Sequence, residues 1–396
     1  MRMNDFLKAS LLYTIALLQG IAFVIFPAAS VILTSSNYQN LSSNEYGTLF
    51  IPMILGAVFI SGVGGPFAKK YSVRSLLIPG VILNAFSMAG LAATEGFLEM
   101  HKTIYFMLLI SMFFLGSGFG ATLTSLNTLI IEQFPSHSAT ALTSLHAVLG
   151  IGTALAPKIV NLFVDIDRWW LAPFSVAIVQ SAVFFLLLLA TNIGTKIKES
   201  TLPSSPLRKP RLIWIFLAIT FFYGICETVI GNWSPIYLHQ VKGMSVTLAN
   251  DALSMFWALV TVGRIFTSIM TAWISYRWFY AALPPLVILA FILVSNTTSP
   301  DENILMLGVA GLACSAILPL SIGFGEEVFP QYRELVSGSL ISSYMAGYGV
   351  AAYGTGGLHS LGLLPLNMMF FYALIPALTM AILTSFALLY FRPLEQ

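Results

Sequence analysis

Charge is scarce in this sequence. Asp, Glu, Lys and Arg together make up 9% of 396 residues, against about 25% in ordinary soluble domains. With 57% hydrophobic residues and a mean hydropathy of +0.86, a chain solvated by its own charged surface is excluded. The net charge of +2 leaves no broad basic face for phosphate backbones, which excludes nucleic acid as a partner. Cysteine is nearly absent. Cys226 and Cys314 sit singly in apolar runs with no C-x-x-C spacing, so neither a disulfide framework nor a zinc site is expected. No HExxH, GxSxG, P-loop or metal-ligand cluster occurs, which argues against an enzyme, a cofactor and a self-contained ATP-driven pump. Long polar stretches are lacking as well: the longest runs from about Thr195 to Pro210, too short to fold alone. Function must therefore lie within the apolar segments.

A hydrocarbon core about 30 Å thick needs about 20 apolar residues per helix. Such stretches fall near residues 8–34, 46–68, 75–95, 103–131, 139–164 and 170–194, and again near 211–238, 247–274, 278–297, 303–328, 335–358 and 366–391. The first, from about Leu7, is too long for a signal-peptide core and reads as helix 1. The expected fold is an all-α membrane protein of twelve transmembrane helices. With both termini cytoplasmic, the inner segments carry Arg2, Lys8, Lys69, Lys70, Arg74, Lys196, Lys198, Arg208, Lys209, Arg211, Arg277, Arg333 and Arg392, and the outer ones only Lys102, Arg168 and Lys242. That asymmetry satisfies the positive-inside rule and fits an even number of spans. A multi-pass protein of the inner (plasma) membrane is the expectation.

Helix 4 ends in Glu132-Gln133-Phe134-Pro135 and helix 10 in Glu327-Val328-Phe329-Pro330, so E-x-F-P recurs at a spacing of 195 residues, close to half the chain. Each copy leads into a small-residue-rich helix. Two pseudo-symmetric six-helix bundles follow, residues 1–194 and 211–396, joined by a cytoplasmic linker over 195–210. On these features the chain resembles the major facilitator superfamily, its E-x-F-P pairs being similar to helix ends in the sugar porters. The turn from Gly65 to Arg74 follows the superfamily's G-x-x-x-D-R-x-G-R-R signature in outline, with Lys69 in place of the acid and Ser72 in place of the second glycine. Leu145-His146 through Gly150 and Gly152, and Tyr223-Gly224 through Glu227, Trp233 and Tyr237, are similar to segments of the fucose-galactose-glucose branch, typified by the L-fucose/proton symporter. The resemblance implies alternating access, a small-molecule substrate, no cofactor and a monomer in the lipid bilayer. It does not carry proton coupling over, because Gln19 in helix 1 and Leu123 in helix 4 stand near the places of that type's acidic residues.

Polar groups deep in apolar helices are costly and mark function or interhelical bonding. Glu227, about 15 residues into helix 7, is expected to bind substrate or couple an ion, because a carboxylate there must be paired, protonated or facing a water-filled cavity. His146 can donate and accept at once, as a sugar hydroxyl requires. Gln19, Thr122, Asn127, Asn232, Trp233, Tyr344 and Tyr348 offer the neutral hydrogen-bonding groups and aromatic faces that suit an uncharged polyol. Structural bonding between helices accounts for each of these neutral residues equally well. Arg264 in helix 8 is expected to pair with Glu326 or Glu327. Glu132 and Glu327 are placed within reach of Arg74 and Arg277 as ion pairs of a cytoplasmic gate.

The leading expectation is a secondary transporter of a small polar, sugar-like solute, run by a proton or sodium gradient or as a facilitator. The alternative is efflux of an amphipathic drug, siderophore or metabolite, favoured by 30 Phe, 15 Met and 7 Trp that could line an adaptable cavity.

Overall fold

The computed structural model describes residues 5–190, 193 and 212–391. The linker expected over 195–210 lies outside the described residues, as do Arg2, Lys196, Lys198 and Arg392. All regular structure among the described residues is helical, as an apolar solvent requires: without water to bond to, backbone groups must be satisfied within each segment. The chain divides into two units, Met1–Leu202 and Pro203–Gln396.

The first unit contains α1 (Asp5–Ala28), α2 (Phe50–Lys70), α3 (Val73–Ala93), α4 (His101–Gln133), α5 (Ser138–Val164) and α6 (Leu171–Leu189). A short helix, Ser43–Thr48, leads into α2. It begins with a capping box in which the Ser42 hydroxyl accepts from the Glu45 N–H while the Glu45 carboxylate accepts from the Ser42 N–H, relieving two otherwise orphaned donors. The second unit contains α7 (Ile213–Gln240), α8 (Val246–Met270), α9 (Tyr276–Asn296), α10 (Pro300–Val328, interrupted at Ser315–Ala316), α11 (Arg333–Ser360) and α12 (Met369–Tyr390). Serine caps recur at Ser245, Ser275 and Ser299.

Eleven helical segments among the described residues are long and apolar enough to cross a membrane. The twelfth expected span is α11. Its 28 residues reach about 42 Å at 1.5 Å per residue, ample for a bilayer, but its glycines and serines keep it less apolar than the others.

Within the first unit α1 packs on α5, α2 on α4 and α3 on α6; within the second α7 packs on α11, α8 on α10 and α9 on α12. Glycines set the closest approaches. A Cβ at Gly152 would overlap the Leu17 carbonyl and one at Gly347 the Phe221 carbonyl; a Cβ at Gly116 would overlap Met53 and one at Gly311 Phe256. Gly116 and Gly311, like Gly152 and Gly347, are 195 positions apart, the interval of the E-x-F-P repeat. The same small-residue contact thus holds equivalent helix pairs in both units, where dispersion rather than the hydrophobic effect drives association.

Helix ends are matched too. Arg74, at the start of α3, donates from Nη2 to the carbonyls of Leu187 (2.7 Å) and Leu188 (3.0 Å) at the C-terminus of α6. Arg277, at the start of α9, donates to the Phe391 carbonyl at 3.1 Å from both Nη atoms, just past α12. Each guanidinium meets orphan carbonyls at the negative end of a helix dipole. Large apolar side chains such as Phe59, Phe106, Phe185 and Ile382 are exposed, while Gln19, Asn84, Gln180, Glu227 and Asn232 are buried. This inversion of a soluble protein is what a lipid surround selects.

In the loops of the first unit, the Tyr38 hydroxyl donates to Asp167 Oδ1 at 2.7 Å. That bond, with burial and the nearby carboxylates of Asp167 and Glu95, pushes the phenol up to about 12.

Candidate functional site

Glu227 is 3% exposed and sits at the centre of a polar cluster inside the second unit. Tyr223, one turn earlier on α7, donates to Glu227 Oε1 at 2.6 Å, and Tyr344 of α11 donates to Oε2. The two phenol rings stack with centroids 5.7 Å apart. Arg264 Nη2 of α8 lies 3.8 Å from Oε1. Pairing Arg264 with Glu326 or Glu327, as expected from sequence, is therefore incorrect: its partner is Glu227.

The reason lies in α10. Pro319 has no N–H to give the carbonyl four residues earlier and its ring clashes with that carbonyl, so the helix breaks at Ser315–Ala316. The freed Ser315 carbonyl accepts from Arg264 Nε at 2.9 Å, which holds the guanidinium toward Glu227. The adjacent Cys314 carbonyl lies 2.9 Å from the Tyr223 hydroxyl. Tyr223 has one hydroxyl hydrogen and two acceptors for it, Glu227 Oε1 and the Cys314 carbonyl.

Two further expected residues meet a turn away, where Asn232 of α7 and Tyr348 of α11 share hydrogen bonds of 2.9 and 3.2 Å. Both are buried, as is Trp233. Where α9 begins and α10 ends, Arg277 Nη2 lies 3.3 Å from Glu327 Oε1 and Tyr276 donates to Glu327 Oε2 at 2.5 Å. The Arg277 guanidinium also stands 4.7 Å from the Phe324 ring centroid. Glu326 is half-buried and makes no ion pair among the described residues.

In the first unit, Gln19 of α1 and Thr122 of α4 come together: Gln19 Oε1 accepts from Thr122 Oγ1 at 2.5 Å and from Asn84 Nδ2 of α3 at 2.6 Å. Asn84 was not anticipated, although a lone amide in the apolar run Ile78–Met88 is the same signal that marked Gln19. Asn127 and His146 are half-buried, and the Asn127 Oδ1 atom has no hydrogen-bond partner. The expected pair of Arg74 with Glu132 does not form among the described residues. Arg74 is directed at the α6 carbonyls instead, and Glu132 is exposed.

Two repeated six-helix units of spanning length, each carrying buried polar clusters, are the architecture of a polytopic membrane transporter. The sequence profile of the Major Facilitator Superfamily matches residues 11–352, and the chain belongs to that family. It is similar to the glucose/mannose transporter GlcP of Bacillus subtilis (strain 168), with 24% identity over 314 residues, 74% of this chain and 75% of the relative. Among solved structures it resembles a mutant form of the nucleoside transporter NupG, at TM-score 0.78 and 16% identity with 98% of this chain and 100% of that one covered. It also resembles the transporter FucP in its outward conformation, at TM-score 0.65 and 16% identity with 99% and 100% covered.

Proposed function

We propose that this chain is a proton-coupled transporter of a small neutral sugar, working as a monomer by alternating access in the inner membrane with both termini cytoplasmic. The observation that carries the reading is the double set of acceptors around the Tyr223 hydroxyl. With Glu227 ionised, Tyr223 and Tyr344 both donate to it and Arg264 balances its charge. With Glu227 protonated, the carboxyl can donate to Tyr223 while Tyr223 turns its hydrogen to the Cys314 carbonyl at 2.9 Å. Both protonation states find a satisfied hydrogen-bond arrangement without moving a helix, which is what reversible protonation in an apolar medium demands.

Sugar as the solute class is supported by the relatedness to GlcP and by the neutral polar residues Asn127 and His146 in the first unit and Asn232, Trp233, Tyr344 and Tyr348 in the second, while Gln19 is engaged with Thr122 and Asn84. On the proposed orientation Arg74 and Arg277 mark the cytoplasmic side, and the Arg277–Glu327–Tyr276 cluster is an ion pair that opens during transport, with Glu132 and Glu326 on the same side.

The test uses purified protein in proteoliposomes, with glucose, mannose and xylose as labelled probes and an imposed pH gradient. Native protein should accumulate at least one of them. Glu227→Gln should lose gradient-driven accumulation and keep exchange of labelled for unlabelled sugar. Undiminished accumulation by that variant removes Glu227 from coupling, and a native protein that moves none of the three removes the sugar reading.

A further inference from the structure

A second polar site lies inside the first unit, apart from the Glu227 cluster. Gln19, Asn84 and Gln180, contributed by α1, α3 and α6, line a small cavity with Ile15, Leu18, Val81 and Val183. The three amides are each at most 2% exposed. Gln19 Nε2, Asn84 Oδ1 and Gln180 Oε1 have no hydrogen-bond partner. Three stranded amide atoms around one cavity would be a heavy penalty, about 1–3 kcal/mol apiece, and buried polar atoms in native proteins are overwhelmingly satisfied by protein or by ordered water.

The set of unmet atoms specifies what fills the cavity. Gln19 Oε1 is held by Asn84 Nδ2 and Thr122 Oγ1, which leaves the Gln19 N–H as a donor and the Asn84 oxygen as an acceptor. A concerted flip of the two amides exchanges their roles: Gln19 would then donate to Asn84 and to Thr122, whose hydroxyl already reaches the Gly118 carbonyl at 2.8 Å. In either arrangement one donor and one acceptor are left unmet on two residues that line the cavity. Gln180 Nε2 is directed at the Leu18 carbonyl at 3.5 Å, leaving its oxygen as a second acceptor.

A bare cation needs acceptors only and is repelled by the N–H that is always present. A sugar is far too large, since the cavity offers about 10 Å³ to the centre of a water-sized sphere, room for about one water molecule.

We infer that the first unit has a built site for a single buried water, which donates to Gln180 and to one of the Gln19/Asn84 pair and accepts from the other. The water joins α6 to the hydrogen-bonded group of α1, α3 and α4. It is a structural ligand of this unit, bound at three points, the usual number for a buried water.

The test sets two small substitutions in the full-length purified protein against a direct map. Val183→Ile adds one methylene to the cavity wall, and Gln180→Met keeps the side-chain length while deleting the acceptor. A dry cavity predicts that both raise the apparent melting temperature, one by filling space and the other by removing an unpaired acceptor. The water site predicts that both lower it, because each expels the water and strands the remaining amides. An experimental density map fine enough to show ordered water should hold a peak within hydrogen-bond distance of all three amides. A featureless cavity in such a map, or a rise in melting temperature for Gln180→Met, overturns the inference.

Discussion

Removing the Arg264 guanidinium should cost the protein measurable stability, and restoring charge balance should return most of it. At 3.8 Å two unit charges attract by about 4 kcal/mol at an effective permittivity of about 20. The Arg264 side chain is 36% exposed whereas Glu227 is 4%, so solvent screens one partner and roughly halves that figure, to about 2 kcal/mol. The two tyrosine hydroxyls remain with Glu227 in Arg264→Met, which keeps the loss below the 3–5 kcal/mol typical of a fully buried pair broken on one side. The expected drop in apparent melting temperature of the detergent-purified protein is about 4–8 °C, taking about 2–4 °C per kcal/mol for a cooperative unit of this size. Glu227→Gln leaves Arg264 a route to solvent and should cost less. In the double variant the charge is absent on both sides, so the loss should be smaller than the sum of the two single losses by about 2 kcal/mol. Additivity within about 0.5 kcal/mol would refute this pairing energy.

Other outcomes follow from the same contacts. Gly347→Leu must push α7 away from α11, because even a Cβ there overlaps the Phe221 carbonyl; the expected result is loss of folded protein in fluorescence-detected size exclusion. Gly354→Ala, with nothing within 4 Å of the added methyl, should instead gain about 0.5–1 kcal/mol from helix propensity. Arg277→Gln gives up the Glu327 ion pair and the Phe391 carbonyl together, and should cost about 1–2 kcal/mol in thermal stability. For Tyr38 the folded phenol titrates near 12 against about 10 in an unfolded chain. The raised value means that its bond to Asp167 contributes fully below about pH 10 and is lost as pH rises through about 12. The ultraviolet titration difference between native protein and Tyr38→Phe should show one phenol ionising in that range, and a midpoint near 10 would contradict the bond.

Much of the architecture was legible because the membrane simplifies the code: length and apolarity of each run locate the helices, and the E-x-F-P repeat divides them into two sets. The interval of 195 held more than was taken from it. Gly116 with Gly311 and Gly152 with Gly347 repeat at the same spacing, yet nothing in a single sequence separates a glycine at a backbone contact from one facing open space, such as Gly354. The polar residues were found by their cost, but their partners were not. Gln19 accepts from Thr122 and also from Asn84, a residue passed over among apolar neighbours. Arg264 was matched to acids near a helix end on α10, when the position of its guanidinium depends on a carbonyl that Pro319 sets free. Sequence displays side chains; it does not display which main-chain oxygens are left over.

That last feature has an evolutionary reading. Two of the groups that orient Glu227's neighbours, the oxygens of Cys314 and Ser315, belong to the polypeptide itself and would survive replacement of either side chain by one that fits the same space. What relatives must keep is the interruption, through Pro319 or another residue that withholds an N–H at that point. A profile built from residue identities at 314 and 315 will therefore undervalue this part of the site. A comparison that tracks where the tenth helix breaks should follow it better.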